Sequence, residues 1–437
     1  IVCIDPAKMK GDWLKLRHGE ILNADGSLYT ANLRKAKAEI VYRKGSGIYR
    51  PRFTYMGFRY VELSGVEYEE GLLTAYAIHS DMERTGYFTC ENPQVDQLYR
   101  NQLWGQKSNY VEVPTDCPQR DERLGWTGDA QVFSATACYL RQCYPFYRKY
   151  LHDMATEQQV LGGMVPDIVP SLGKAYQGTA CVWGDACTII PWNLYQMYGD
   201  KTILAEQFES MAAWVDYITS LDGEDHGWSR HFHYGDWLAM DAGPDYYMGA
   251  TQIDLIASAY FYYSTCLTIK TGKVLGKDTT ALEDLARNIR KSFREKFMEN
   301  GMPKEELPMT DLSWPTDRPY YSVKGITQTS LALILNFNLC TDEERPVLAE
   351  KLVQLIRDFG NRMSTGFLGT PNILQALSEN GYTDVAYTLL LQEKNPSWLF
   401  SVNQGATTMW EHWDSIKEDG TFWSDSMNSF NHYAYGA

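Results

Sequence analysis

Apolar positions change their rhythm once along this chain, near residue 90. Before that point the alternation is strand-like. Asp12-Trp-Leu-Lys-Leu-Arg-His18 switches between polar and apolar, Asn23-Ala-Asp-Gly26 is turn chemistry, and residues 55–63 are aromatic and β-branched. These segments predict a piece of β-sandwich over roughly 1–80, within a sheet domain spanning 1–88, and a truncated one, because a whole sandwich needs more strands. From Asn92 onward Val95, Leu98, Tyr99, Leu103 and Trp104 recur three and four residues apart, as on an amphipathic helix. The same period predicts helices over 131–157, 188–198, 203–220, 252–271, 281–297, 327–336, 342–359, 372–379 and 383–393. Gly, Pro, Asn and Asp fill the connections. Strand signals are sparse there, so 89–437 is expected to be all α, with alternating helices that suit a double ring.

Composition narrows the classes that such a chain can serve. Its 437 residues carry 40 basic and 55 acidic side chains, a net charge of -15 that would repel a phosphate backbone. Nucleic acid is therefore an unfavourable partner. No apolar run approaches the roughly 18 to 20 residues of a membrane span. The nine cysteines form no C-x-x-C spacing and have no neighbouring His pairs, which argues against a disulfide framework and a structural zinc site. Unpaired cysteines slightly favour a cytoplasmic setting, although a chain that starts at Ile1 is expected to lack its true N-terminus. Aromatic residues reach 14%, with 30 Tyr and 13 Trp, a surplus beyond ordinary packing that suits stacking on sugar rings.

The densest chemistry lies between Val113 and Tyr139, VPTDCPQRDERLGWTGDAQVFSATACY. Pro114 and Pro118 bias the preceding residues away from helix, and Thr127 stands where an N-cap is expected before Ala130, Val132, Phe133 and Ala137. Asp129 would then occupy the first helical turn, where unpaired amides favour a carboxylate. The loop delivers Asp116, Arg120, Asp121, Glu122, Arg123 and Trp126 to that helix end. Asp and Arg bind vicinal hydroxyls, Trp covers a ring face, and a carboxylic acid can protonate a glycosidic oxygen. An Asp and Arg network that only fixes the loop is the competing reading.

The run DCPQRDERLGWTGDAQ resembles the signature of the bacterial α-L-rhamnosidases, an inverting glycoside hydrolase family. The resemblance implies an (α/α)6-barrel catalytic domain over 89–437, preceded by the truncated β-sandwich, so the fold class is mainly α. LRHGEIL and PRFTYMGFRYVEL resemble segments of the sheet domain that precedes the family's barrel. The family normally continues beyond the position of Ala437 with a last barrel helix and often a small β-domain, which this chain is expected to lack.

The same resemblance assigns roles. Glu122 is implied as the general acid, anchored by the following Leu124, Gly125 and Trp126 rather than placed on the adjacent Asp121. Asp116, Arg120, Trp126 and Asp129 are implied to hold the rhamnose unit. Three further loops, Cys181-Val-Trp-Gly-Asp185, Tyr234-Gly-Asp-Trp237 and Gln404-Gly-Ala-Thr-Thr-Met-Trp-Glu411, each set a Trp near a carboxylate and contain a Gly. Their likeness to family segments implies that Trp183 and Trp237 line the sugar pocket, that Glu411 is the general base and that His432 touches substrate. Trp410 and Trp413 read as packing around that base. His18, Glu20, Arg52 and Arg59 read as paired charges on exposed strand faces or at a domain interface.

The expected reaction is single-displacement hydrolysis of terminal α-L-rhamnosides with inversion, the two carboxyl groups standing roughly 6.5 to 9.5 Å apart. It requires neither metal nor cofactor. The partner would be a rhamnose-containing glycoside or oligosaccharide, and a homodimer is compatible with the sequence. Two rival readings are an inverting enzyme of the same barrel acting on another sugar, and a catalytically silent carbohydrate-binding protein.

Overall fold

The computed structural model of the chain describes residues 1–173, 178–229, 232–243, 246–308 and 323–437. The N-terminal region holds β1 (Val2–Ile4), β2 (Trp13–Gly19), β3 (Glu39–Arg43), β4 (Tyr60–Ser64) and β5 (Leu73–Ala75). β2 is central in an antiparallel sheet of order β3-β2-β4, and β1 pairs with β5. The alternation in β2 turns Leu14 and Leu16 onto a small core with Val2, Ile4, Met9, Ile40 and Leu72. Residues 55–59 do not form the expected strand. Their backbone turns toward the helical domain instead, where the Gly57 N–H donates to the Pro118 carbonyl at 3.1 Å.

The helical region begins with α1 (Pro93–Asn109), whose cap Asn92 accepts from the amides of Gln94 and Val95. It continues with α2 (Thr127–Leu140), α3 (Tyr144–Val160), α4 (Ala186–Tyr198), α5 (Thr202–Asp222), α6 (Ile253–Leu275) and α7 (Thr280–Phe297). Then come α8 (Gln328–Asn336), α9 (Arg345–Asp358), α10 (Thr370–Glu379), α11 (Thr383–Leu390) and α12 (Trp398–Asn403). Even-numbered helices follow one another as neighbours from α2 to α10, odd-numbered ones cover them, and α12 lies against α1. Burial separates the two sets: α6 buries 16 of its 23 residues, whereas α7 buries only Ala286, Ile289, Phe293 and Phe297. A helix buried all round belongs inside, and one with a single apolar stripe belongs outside. This is the six-hairpin, (α/α)6 architecture that the sequence resemblance implies.

The differences from the sequence reading have local causes. The single helix expected over 131–157 is two helices, α2 and α3: the chain extends at Arg141 (φ -144°, ψ 161°), and Pro145 sits in the first turn of α3, where its missing N–H has no helical partner to lose. α12 escaped the periodicity because it is only six residues long, held by the Ser397 side chain on the Phe400 amide, with Trp398 to Ser401 buried in a row, too short to show a helical period. Two short hairpins, Tyr110–Val111 with Val113–Pro114 and Met298–Glu299 with Met302–Pro303, interrupt the otherwise helical domain. Among the described residues no helix is long and apolar enough to cross a membrane.

Candidate active site

The loop before α2 closes on itself. The Asp116 N–H donates to the Leu124 carbonyl at 3.0 Å, and the Leu124 N–H returns a bond to Asp116 Oδ1 at 2.8 Å. Trp126, extended at φ -63° and ψ 121°, is the cap residue of α2. Thr127 is therefore the first helical residue rather than the cap, and its hydroxyl donates to the Asp167 carbonyl at 2.9 Å. The difference is one residue, the usual play at a helix end. Asp129 does lie in the first turn.

Arg120 is the hub of the charges that this loop gathers. Its guanidinium is buried at 1% exposure and forks onto Glu411, Nη1 to Oε2 at 2.8 Å and Nη2 to Oε1 at 3.0 Å. Nη2 also lies 2.9 Å from Glu122 Oε2 and 3.6 Å from Asp116 Oδ2. A planar fork of five donors can grip Glu411 with two parallel bonds and still reach Glu122, a bidentate geometry that a single ammonium cannot match. Glu411 accepts in addition from the Ser429 N–H at 2.7 Å. Burial opposes its charge, but Arg120 and then His432 outweigh burial and hold this carboxyl well below the usual range. Asp116 and Asp129 go the other way: burial, and then neighbouring carboxylates, push both up. His432 Nε2 stands 3.3 Å from Asp129 Oδ1, and burial lowers this imidazole to about 4, so it is neutral near pH 7.

Glu122 is held differently. Trp126 Nε1 donates to its Oε1 at 2.8 Å, and Arg34, from the N-terminal region, donates to Oε2 at 3.1 Å. Its side chain keeps 17% exposure against 1% for Glu411. Of the two adjacent acid candidates only Glu122 lines the recess described below; Asp121 is exposed and lies 3.6 Å from Arg34.

All nine sequence-selected side chains converge on one recess of about 370 Å³: Glu122 and Glu411, with Asp116, Arg120, Trp126, Asp129, Trp183, Trp237 and His432. Tyr234, Phe367 and Met427 complete the lining. A larger hollow of about 770 Å³, bordered by Glu20, Trp104, Trp410 and Phe430, contains neither of the two glutamates. Trp183 reaches the recess because Gly128 in α2 lets its indole press against the helix backbone; a Cβ at Gly128 would sit about 2.5 Å from the ring.

Comparison with known proteins places these features. The bacterial alpha-L-rhamnosidase 6 hairpin glycosidase domain matches residues 83–437, and the bacterial alpha-L-rhamnosidase concanavalin-like domain matches 1–80. The chain belongs to the bacterial α-L-rhamnosidase family. An alpha-L-rhamnosidase of Streptomyces avermitilis is 42% identical over 433 residues, 98% of this chain and 39% of that protein. One from Formosa agariphila is 39% identical over 99% of this chain and 45% of its own length. The crystal structure of the Streptomyces avermitilis enzyme complexed with L-rhamnose superposes with a TM-score of 0.88 at 40% identity, over all of this chain and 40% of that one. This chain thus spans less than half the length of these relatives.

Within this rhamnosidase family member the tryptophan loops at 181–185 and 234–237 divide their labour. Asp185 accepts from the Val182 N–H, Trp214 Nε1 and Ser264 Oγ, and Asp236 accepts from the amides of Gly366, Leu368 and Gly369 and the Thr329 hydroxyl. Neither carboxylate lines the recess; the indoles of their loops and the Tyr234 ring do. Trp410 packs on Phe430, and Trp413 donates to the Thr365 carbonyl at 3.0 Å, so both act as packing residues. Ligand atoms of Asp116, Cys117 and Glu122 lie within 4.8 Å of one another, but Arg120 already supplies the positive charge between the two carboxylates, and burial pushes the Cys117 thiol up. That donor set suits a salt-bridged cluster better than a metal ion.

Sequence reasoning missed Arg34, Tyr234, Phe367 and Met427. Tyr234 sat inside a loop already singled out and could have been included. Arg34 had no motif around it; its one anomaly, a positive φ of 55° in a non-glycine residue, shows only in the structure. Its fixed backbone lets the guanidinium bond the Ser426 carbonyl at 3.0 Å as well as Glu122.

Proposed function

We propose that this chain hydrolyses terminal α-L-rhamnosides, with Glu122 as general acid and Glu411 as general base, residues 89–437 carrying the catalysis and 1–88 forming the sheet domain. The observation that carries this reading is the single recess that collects both glutamates, the Arg120 hub and three indoles. Glu411, kept ionised by Arg120, takes a proton from water; Glu122 gives one to the leaving oxygen. Asp116, Arg120 and Asp129 offer acceptors and forked donors to the sugar hydroxyls. Trp183 Nε1 and His432 Nδ1 are buried with no hydrogen-bond partner among the described residues, a cost that a polyol would relieve. Trp183, Trp237, Phe367 and Met427 make much of the wall apolar, which suits a sugar ending in a methyl rather than a hydroxymethyl group.

Inversion needs a water beside Glu411. Arg120 Nη2 touches Glu122 Oε2 at 2.9 Å and Glu411 Oε1 at 3.0 Å, so these two oxygens are no more than 5.9 Å apart. That is shorter than the roughly 6.5 to 9.5 Å between the carboxyl groups of an inverting pair. Glu122, the less buried partner, must therefore leave Arg120 as the glycosidic oxygen arrives.

The test is a comparison of 4-nitrophenyl α-L-rhamnoside with the α-L-mannoside, which differs by one hydroxyl at C6. The rhamnoside is expected to lead in kcat/KM by about tenfold or more, since an apolar corner resists an added hydroxyl only modestly. Preference for the mannoside would redirect the assignment to another sugar. Binding of L-rhamnose with no turnover of any glycoside would favour a silent carbohydrate-binding protein.

A further inference from the structure

Three consecutive residues, Asn428, Ser429 and Phe430, run fully buried between the N-terminal sheet and the base. Their polar groups alternate, as extended backbone requires. Ser429 faces the helical domain: its N–H donates to Glu411 Oε2 at 2.7 Å, its carbonyl accepts from the Glu411 N–H at 2.9 Å, and its hydroxyl donates to Gln119 Oε1 at 3.2 Å. The flanking residues face the sheet. The Phe430 N–H donates to Glu20 Oε2 at 3.1 Å, while Asn32 Nδ2 bridges Glu20 Oε2 at 3.0 Å and the Asn428 carbonyl at 3.1 Å. Glu20 directly follows β2, the strand paired on both sides, so its backbone is among the best-fixed points of the sheet.

We propose that Glu20, assisted by Asn32, is a positioning residue for Glu411: the N-terminal sheet region holds the 428–430 strap, and the strap holds the base. This inference rests on the reading of Glu411 as the general base. Glu20 reads in sequence as one of several paired charges on strand faces or at a domain interface, yet it is only 5% exposed and has no salt bridge among the described residues. Burial pushes it up to about 8, so at neutral pH it is mostly a neutral carboxyl that accepts through Oε2. A glutamine can place its amide oxygen at the same point.

The expected result follows from that geometry. Glu20→Ala frees the strap, and a base displaced by a fraction of an ångström lowers kcat on 4-nitrophenyl α-L-rhamnoside by about tenfold or more while KM stays within about threefold. Glu20→Gln restores kcat to within about threefold of the unaltered protein. Asn32→Ala, a milder lesion that serves if Glu20→Ala fails to fold, moves kcat in the same direction by about threefold or more. Hydrogen–deuterium exchange of Ser429 and Phe430 reads the strap without substrate and should quicken in both alanine variants. Unchanged exchange would overturn the claim that Glu20 holds the strap. Faster exchange with unchanged kcat would overturn the claim that the strap positions the base. Failure of the rhamnosidase reading looks different, as an unaltered protein inert toward the rhamnoside, and the exchange measurement still decides whether Glu20 holds the strap.

Discussion

The carboxylates that reach the recess, from the loop before α2 and from Glu411, and those of the 181–185 and 234–237 loops look alike in sequence, each an acidic residue near a Trp and a Gly, but they sit in opposite surroundings. Asp236 and Asp185 are enclosed by amide, hydroxyl and indole donors from neighbouring elements, neutral partners that tie the inner ends of the helices together. Glu122, Glu411 and Asp116 instead share one guanidinium and face a recess. The lesson is that the partner decides the task. A carboxylate saturated by fixed neutral donors is scaffold, and one that shares a cation at the edge of a hollow can still exchange partners with a ligand.

Substitutions should therefore separate the two sets. Asp236→Ala orphans four buried donors at once and is expected to lower the unfolding free energy by about 3 kcal/mol or more, with activity falling only as the folded fraction falls. Chemical denaturation read alongside kinetics checks this; a variant of normal stability that is catalytically dead would erase the distinction. Glu122→Gln is the mirror case, with turnover reduced about a hundredfold and little change in melting temperature. Should Asp121→Asn prove the more damaging of the two, the acid role would move to Asp121. Trp183→Ala removes a wall of the recess without touching the charges, so KM should rise by about tenfold with kcat nearly kept, as steady-state kinetics will show.

The smallest effect concerns pH. Burial raises Asp167 from 3.8 to about 7, against the Ala180 amide and the Tyr234 hydroxyl. The folded protein thus holds this proton more tightly than the unfolded chain. The stability it contributes is complete below pH 4 and is lost as pH rises through about 7. Asp167→Asn should flatten that decline by about 1 kcal/mol per pH unit, visible in denaturation at pH 5 and pH 6. An equal slope in the variant would mean that Asp167 is already ionised in the folded state.

What was legible in the sequence follows the same division between local and distant causes. Asp116 to Asp129 could be read together because proline and glycine punctuate one short loop and the helix after it starts where the apolar period resumes. Glu411 and His432 lie some three hundred residues later, and only the family resemblance connected them to that loop. Nothing in composition or period brings them near Arg120. The break between α2 and α3 comes from extended backbone at Arg141, with Pro145 in the first turn of α3 as its sequence mark, whereas α12 was too short to show a period. Arg34 and Glu20 were illegible as site residues because their work depends on how the sheet docks on the segment from Ser426 to Phe430. Sequence could place Asp185 and Asp236 only beside their tryptophans; that both carboxylates turn away from the recess onto fixed donors shows only in the structure.

The most direct test of the central claim is the identity of the first sugar released. In a proton NMR time course with an aryl α-L-rhamnoside, this account predicts that β-L-rhamnose appears first and only later equilibrates with the α anomer. If α-L-rhamnose appears first, Glu411 is not acting as a base on water across the ring from Glu122, and the mechanism is contradicted.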